Sequence, residues 1–251
     1  MGTKTTISLR QNYQNLIKGF ETLLFPPGQN CPLCKQKLSQ GGLICDSCQS
    51  RLELWQQAKK CAYCGHLAAA DEDRCYSCQR TAPVFKLARA VAPYEGYFSQ
   101  AIKRFKYQNE QWLAEPLGKM MARLIKSEPL YHDIDLIISI PLSKKRLAER
   151  GFNQSLLLAK VVGQQLDIPL GKDVLLKIRE TEDQIGLTKN ERLRNLEGAF
   201  QLKEGATVKG AGILLVDDIF TTGSTVHHGS LVLLGAGARE VKVVTWAGVI
   251  S

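Results

Sequence analysis

All eight cysteines of this 251-residue chain fall into four C-x2-C pairs, Cys31/Cys34, Cys45/Cys48, Cys61/Cys64 and Cys75/Cys78, and each member of the first two pairs recurs thirty positions later. No other feature constrains the fold as strongly. A C-x2-C knuckle brings two thiolates to one metal, and two knuckles complete the tetrahedron that Zn2+ accepts. Two structural zinc sites with four cysteine ligands each are expected, built from sequential knuckles or from a cross-braced exchange of knuckles. The ten-residue spacer inside each repeat is shorter than the commonest ribbon spacing, which leaves the module type open. Disulfides are the competing use of such pairs, and they persist in oxidising compartments. The N-terminus lacks the layout of a secretory signal, and no run of eighteen apolar residues is present to cross a membrane. A cytoplasmic protein without membrane insertion is therefore expected, with reduced cysteines. A thioredoxin-type redox pair would use one C-x2-C beside a βαβ unit, not four in tandem. Zinc here would stabilise a module with almost no apolar core of its own and take no part in catalysis.

Charge separates the chain into unequal parts. Residues 1–130 carry 18 Lys and Arg against 10 Asp and Glu, whereas the remainder carries 15 against 14, so the excess sits on the cysteine-bearing half. Clustered basic residues favour a polyanion by releasing its counterions, and they also serve simply as a solubilising surface. Ahead of the first cysteine, Leu16, Ile17, Phe20, Leu23 and Leu24 fall at helical spacing before Pro26-Pro27 ends the pattern. After Pro83 a strand is expected over 84–94, then a basic segment with Lys103, Arg104 and Lys106, then a helix whose apolar face includes Leu113, Leu117, Met121 and Leu124. From Asp135 the rhythm becomes α/β: strands over 136–140, 174–178, 213–216 and 241–246, and helices over 153–166 and 222–234. That alternation predicts a parallel sheet flanked by helices, with ligands beyond the carboxyl ends of its strands. The expected division is an N-terminal helix and double zinc ribbon over 1–82, followed by an α/β domain over 83–251.

The most specific string is LLVDDIFTTGST, Leu214 to Thr225. A buried strand ends in Asp217 and Asp218, turns through Thr221, Thr222, Gly223, Ser224 and Thr225, and opens a helix. Hydroxyls and backbone N–H groups at a helix N-terminus cradle phosphate, and Gly223 lets the backbone approach closely. Adjacent carboxylates just before that cradle can accept hydrogen bonds from the vicinal hydroxyls of a ribose and offset positive charge growing on its ring. A Walker B strand also ends in acids, but it needs a G-x4-G-K-[ST] loop, which the chain lacks.

The string resembles the phosphoribosyl pyrophosphate signature of type I phosphoribosyltransferases. Further residues sharpen the match. Ser139-Ile140-Pro141-Leu142-Ser143-Lys144-Lys145-Arg146, followed by Arg150-Gly151-Phe152-Asn153-Gln154, resembles the pyrophosphate loop and R-G-F-N-Q run of the ComF family of competence-associated proteins. Asn195, Gly198-Ala199-Phe200 and the cysteine repeats extend that likeness over nearly the whole chain. It implies a type I phosphoribosyltransferase-like domain binding phosphoribosyl pyrophosphate with Mg2+. Thr221 to Thr225 would hold the 5-phosphate, Ser143, Lys144, Lys145 and Arg146 the pyrophosphate, with Asp217, Asp218, Lys144 and Arg146 acting in catalysis. The competing reading of 144–146 is a solvated basic turn. The polar stretch with Gln184, Lys189, Arg192 and Arg194 occupies the position of a mobile hood in this fold, or is a long loop. His227 and His228, one turn into the helix after the cradle, read as packing or surface residues.

Two functions follow from the resemblance. One is a phosphoribosyltransferase with an unidentified acceptor. The other is a non-catalytic protein of natural transformation and DNA uptake, using the site as a ligand sensor while its ribbons hold single-stranded DNA or contact a competence helicase.

Overall fold

The computed structural model describes residues 30–38, 42–181 and 189–249. The segment around Leu16–Leu24 and residue Gln184 lie outside them. The sequence period is also a structural one. Cys31 N–H donates to the Gln36 carbonyl at 2.6 Å and Cys61 N–H to that of His66 at 2.7 Å. Bridges between Asn30 and Lys37, and between Lys60 and Leu67, close the two knuckles. The residue that reverses each knuckle is left-handed, with φ of 65° at Lys35 and 72° at Gly65. At Gly65 a side chain is also excluded, since a Cβ would stand 2.6 Å from the Ala88 carbonyl oxygen. The third cysteine of each repeat, Cys45 or Cys75, caps a helix and the fourth lies in its first turn: α1 (Asp46–Gln57) and α2 (Tyr76–Arg80). There the repeats diverge. Helix α1 is long enough to bury Leu52 and Trp55, while α2 buries only Cys78.

The remaining elements are β1 (Leu87–Pro93), α3 (Gly96–Tyr107), α4 (Ala114–Ser127), β2 (Leu136–Ser139), α5 (Lys144–Arg150), α6 (Gln154–Leu166), β3 (Leu175–Lys177), α7 (Lys189–Leu196), β4 (Phe200–Leu202), β5 (Gly212–Phe220), α8 (Ser224–Gly235) and β6 (Glu240–Gly248). Four strands form a parallel sheet in the order β1-β6-β5-β2. Side chains alternate across it. Leu214, Val216, Val244 and Trp246 enter one core with α3, α4, α6 and the first cysteine repeat, whereas Ile213, Leu215, Val241 and Val243 enter another with α8, β3, β4 and the second repeat. The two repeats thus abut opposite faces of one sheet. Among the described residues, no helix is long and apolar enough to cross a membrane.

Several expected elements shift. The strand expected over 84–94 narrows to Leu87–Pro93, and that expected over 213–216 lengthens to Gly212–Phe220, carrying both aspartates inside the strand. The apolar run at 174–178 is a strand outside the parallel sheet: β3 pairs antiparallel with β4. A three-residue run has no period that could reveal its partner, and Phe200 draws it to a separate cap over α8. The polar stretch over 179–195 ends in helix α7.

Packing between α4 and α6 depends on one residue without a side chain. A Cβ at Gly118 would lie 2.6 Å from Val161 Cβ, an atom that cannot rotate away. Gly118→Ala is expected to lower Tm, because overpacking of about 1–3 kcal/mol exceeds the helix-propensity gain of about 1 kcal/mol. Gly235→Ala, in open space at the end of α8, is expected to leave Tm unchanged or raise it. Thermal denaturation of the two variants checks both signs.

Candidate functional site

Strand β5 is almost wholly buried, so its carboxyl end delivers Asp217 and Asp218 into an enclosed setting. The Asp217 carboxylate accepts hydrogen bonds from Ser155 Oγ at 2.8 Å and from the Asp218 N–H at 2.9 Å. Burial, and then the charge of Asp218, nevertheless push its pKa up to about 7. Asp218 is balanced differently: its Oδ2 lies 2.6 Å from Nζ of Lys106, which reaches in from the last turn of α3 to form a largely buried ion pair. In the sequence Lys106 reads only as part of a basic segment, and nothing local singles out Ser155.

The chain then turns. Gly223, at the N-cap of α8, has φ of 76°, and a Cβ there would meet Phe220 Cζ at 2.7 Å, so glycine is required twice over. Thr222 Oγ1 and Ser224 Oγ lie 2.8 Å apart, and Ser224 is buried. Thr225 begins the helix with it. The first N–H groups of α8 have no acceptor within the helix, so Thr221 to Thr225 present hydroxyls and amides suited to an anion. His227 and His228 stand ring edge to ring face at 5.4 Å, one turn along α8.

The basic segment expected as a loop is the first turn of α5. Ser143 caps that helix, its Oγ accepting from Arg146 N–H at 3.4 Å. Lys144, Lys145 and Arg146 follow on the helix itself. Glu180 accepts from the Lys145 N–H at 3.1 Å, and its hydrogen bonds with Ser143 and Lys145 hold its pKa below the usual carboxylate range. A carboxylate therefore sits at the end of α5 where the sequence places pyrophosphate. Lys177 of β3 joins this neighbourhood. Burial and then the charge of Arg146 lower its pKa, opposed by Glu180 and Asp217.

The R-G-F-N-Q run has a structural account. Arg150 stacks over Tyr107 at 5.3 Å, Gly151 ends α5 with φ of 81°, and Phe152 packs on Phe105 at 5.7 Å. Asn153 caps α6 and donates to the Ile140 carbonyl at 3.0 Å. Gln154 Oε1 accepts from the Arg150 guanidinium at 2.5 Å, while its buried Nε2 has no hydrogen-bond partner among the described residues. These contacts set the start of α6 and hence Ser155.

The cysteines settle into two clusters, Cys31/Cys34/Cys45/Cys48 and Cys61/Cys64/Cys75/Cys78, with the ligand atoms of each within 4.8 Å of one another. Pairing is sequential, not cross-braced. Cys34 Sγ and Cys45 Sγ are 3.4 Å apart and Cys64 Sγ and Cys75 Sγ 3.5 Å apart, close to the edge of about 3.8 Å that four bonds of about 2.3 Å imply for a zinc tetrahedron. Burial and the neighbouring sulfurs push Cys48 and Cys64 upward, so thiolates crowded here call for a cation. Both clusters fit Zn2+.

Geometry and sequence similarity agree on the class. A double zinc ribbon domain matches residues 20–79 and a phosphoribosyl transferase domain residues 153–250, so the chain joins a double zinc ribbon to a phosphoribosyltransferase-type fold. Among solved structures it resembles glutamine phosphoribosylpyrophosphate amidotransferase from Bacillus subtilis, at 21% identity over 53% of this chain and 26% of that one, TM-score 0.36. It also resembles a purine phosphoribosyltransferase from Pyrococcus horikoshii, at 18% identity over 55% and 73%, TM-score 0.35. Relatives with names are nearer. Competence protein F of Haemophilus influenzae is 31% identical, covering 85% of this chain and 94% of its own. DNA utilization protein YhgH of Escherichia coli K12 is 31% identical, covering 88% and 97%. Competence protein ComFC of Bacillus subtilis is 30% identical over 77% and 79%. The chain belongs to the competence protein F/ComFC/YhgH family.

Two measurements check the site. Metal analysis is expected to give two zinc ions per chain, one for each cluster, with Cys31→Ser and Cys61→Ser each losing one; a metal-free parent would refute the tetrahedra. The second concerns Asp217. An acid whose pKa is raised on folding binds its proton longer in the native state, so stability falls as pH climbs from the unfolded value near 3.8 through about 7. Asp217→Asn removes that penalty. Its gain in Tm over the parent is expected to be larger at pH 8 than at pH 5, by several degrees at about 2–4 °C per kcal/mol. Equal gains at both pH values would mean that the carboxyl is not raised.

Proposed function

We propose that this chain binds phosphoribosyl pyrophosphate with Mg2+ at the end of β5 and serves DNA uptake or utilisation, as a phosphoribosyltransferase or as a sensor of that ligand. One observation carries the reading: two enclosed carboxylates, Asp217 and Asp218, run without interruption into an anion-accepting turn at the start of α8. A molecule with vicinal hydroxyls a few ångströms from a phosphate matches that order of groups, and a 5-phosphorylated ribose is such a molecule.

In this reading the backbone amides and hydroxyls of Thr221 to Thr225 grip the 5-phosphate, while Asp217 and Asp218 accept hydrogen bonds from the ribose hydroxyls. Mg2+, held by oxygens of the ligand, would neutralise the pyrophosphate. Lys144, Lys145 and Arg146 add positive charge at the leaving side, with Lys177 behind them. As C1 loosens from pyrophosphate, positive charge grows on the ring, and the acid pair lowers the energy of that state more than that of the bound substrate. Because Asp217 is raised to about 7, its own carboxyl is fully ionised only above neutrality. Lys106 compensates one of the charges. Glu180 must leave the end of α5 for pyrophosphate to take its place.

The DNA side of the proposal rests on the cysteine half. Arg74 lies 4.8 Å above Tyr63, and Arg80 lies 5.7 Å from the exposed Tyr76 ring. Cation–aromatic pairs of this kind suit a strand of stacked bases with a phosphate backbone, and the names of the relatives speak of competence and DNA utilisation.

Calorimetry with phosphoribosyl pyrophosphate and Mg2+ tests the site. The parent is expected to bind, and the combined Asp217→Ala and Asp218→Ala variant to lose binding by at least tenfold, the worth of about 1.4 kcal/mol. Equal heats would refute the assignment. Pyrophosphate release across a panel of bases and amines then separates transferase from sensor.

A further inference from the structure

The second cysteine cluster touches the proposed phosphate loop through one side chain. His66 Nδ1 lies 3.3 Å from Cys64 Sγ, and His66 Nε2 donates to the Thr221 carbonyl oxygen at 3.1 Å. The same imidazole meets Phe220 edge to face, with ring centroids 5.2 Å apart, and Phe85 packs on Phe220 from another side at 6.0 Å. Phe220 in turn is the ring beneath Gly223. Ligand atom, imidazole, loop carbonyl and loop glycine form one contiguous chain of contacts. The first repeat has no equivalent, since the residue thirty positions before His66 is Gln36.

The peptide bond gives this contact a direction. No cis peptide is present among the described residues, so the Thr221 carbonyl and the Thr222 N–H of the same planar unit point opposite ways. Drawing the carbonyl oxygen toward the ribbon aims the Thr222 N–H away from it. We propose that His66 is a positioning residue, which fixes the Thr221–Thr222 peptide so that its N–H serves the anion, and which links metal occupancy of the Cys61/Cys64/Cys75/Cys78 cluster to the grip on phosphate. A metal that holds Cys64 Sγ fixes the atom against which the imidazole rests; a stripped cluster leaves it without that anchor. The linkage is reciprocal: whatever factor the metal adds to anion affinity, the anion adds to metal affinity. The phosphate half of this inference rests on the proposed function, whereas the His66 contact does not.

The test uses the full chain and four forms: parent, His66→Phe, His66→Gln and Gln36→Ala. Phenylalanine keeps the ring on Phe220 but removes both nitrogens, while glutamine restores a donor with similar reach. Without ligand, hydrogen–deuterium exchange over residues 220–226 is expected to rise in His66→Phe, to stay near the parent in His66→Gln and Gln36→Ala, and to rise in the parent when a chelator strips the cluster. Identical exchange in parent and His66→Phe overturns the proposal. With phosphoribosyl pyrophosphate and Mg2+, His66→Phe is expected to bind roughly three- to tenfold more weakly, the worth of one hydrogen bond, with zinc content unchanged. Saturating ligand should slow zinc loss to the chelator in the parent and not in His66→Phe. If the parent binds no phosphoribosyl pyrophosphate while exchange still follows His66, the site reading fails and the link stands. If the parent binds and His66→Phe binds equally well, the link fails and the site reading stands.

Discussion

Adjacent carboxylates sealed at the end of a buried strand oppose each other and have lost most of their water, and much of the surrounding architecture offsets that cost. Asp217 is met by a hydroxyl and a backbone amide, Asp218 by an ammonium. The partners come from different elements. Ser155 enters from the first turn of α6, whose start is set by Asn153, which is itself tied to the end of β2 through the Ile140 carbonyl. Lys106 enters from the end of α3, whose neighbouring Phe105 and Tyr107 rest on Phe152 and Arg150. The turn between α5 and α6 thereby holds both supports of the acid pair in place. Positioning of this kind costs stability, which in the proposed function would be offset when charge develops on a bound ring.

The anion-accepting side is built from the same need for compensation. Helix starts at α5 and α8 offer amides, and Lys177 of β3 feels both the Arg146 charge on α5 and the Asp217 charge on β5. Glu180 settles on the end of α5, a local measure of the positive potential there. Opposite charges thus meet at the end of β5: Asp218 pairs directly with Lys106 of α3, and Asp217 acts on Lys177 of β3. In the proposed function such a site would exchange these internal partners for those of a ligand that carries both hydroxyls and phosphates.

The parts written into contiguous sequence were legible. The cysteine period announced two equivalent modules, because ligand spacing is a local property. Likewise the run from Leu214 to Thr225 announced strand, acids, turn and helix, although it understated the strand by stopping at the first charge. What escaped were partners contributed from far along the chain. Nothing around Lys106 says that it reaches Asp218, more than a hundred residues away, and nothing around His66 says that it reaches Thr221. Ser143 is a different case. A serine before a helical turn is a capping signal, which the run of charge after it masks. For β3, three residues carry too little pattern to distinguish an antiparallel cap strand from a member of the parallel sheet.

The cysteine module also answers a problem that the sheet cannot solve alone. Strand β1 pairs with β6 on one side only, and an open edge of peptide groups invites pairing with another chain. Here the edge is covered. The Ala88 N–H donates to the Tyr63 carbonyl at 2.7 Å, and the Ala90 carbonyl accepts from Trp55 of α1 at 3.2 Å. Arg89 bridges to the carbonyls of Cys61 and Ala62 at 3.3 Å while pairing with Glu128 at 3.2 Å. Divergence of the repeats makes sense in this light: the long α1 lays Trp55 along the edge, while the short second repeat presents its knuckle, and glycine at position 65 allows the closest approach. Both repeats also enter the cores beneath the sheet faces. A module with little apolar interior of its own thereby becomes part of the edge, the cores and, through His66, the loop after β5.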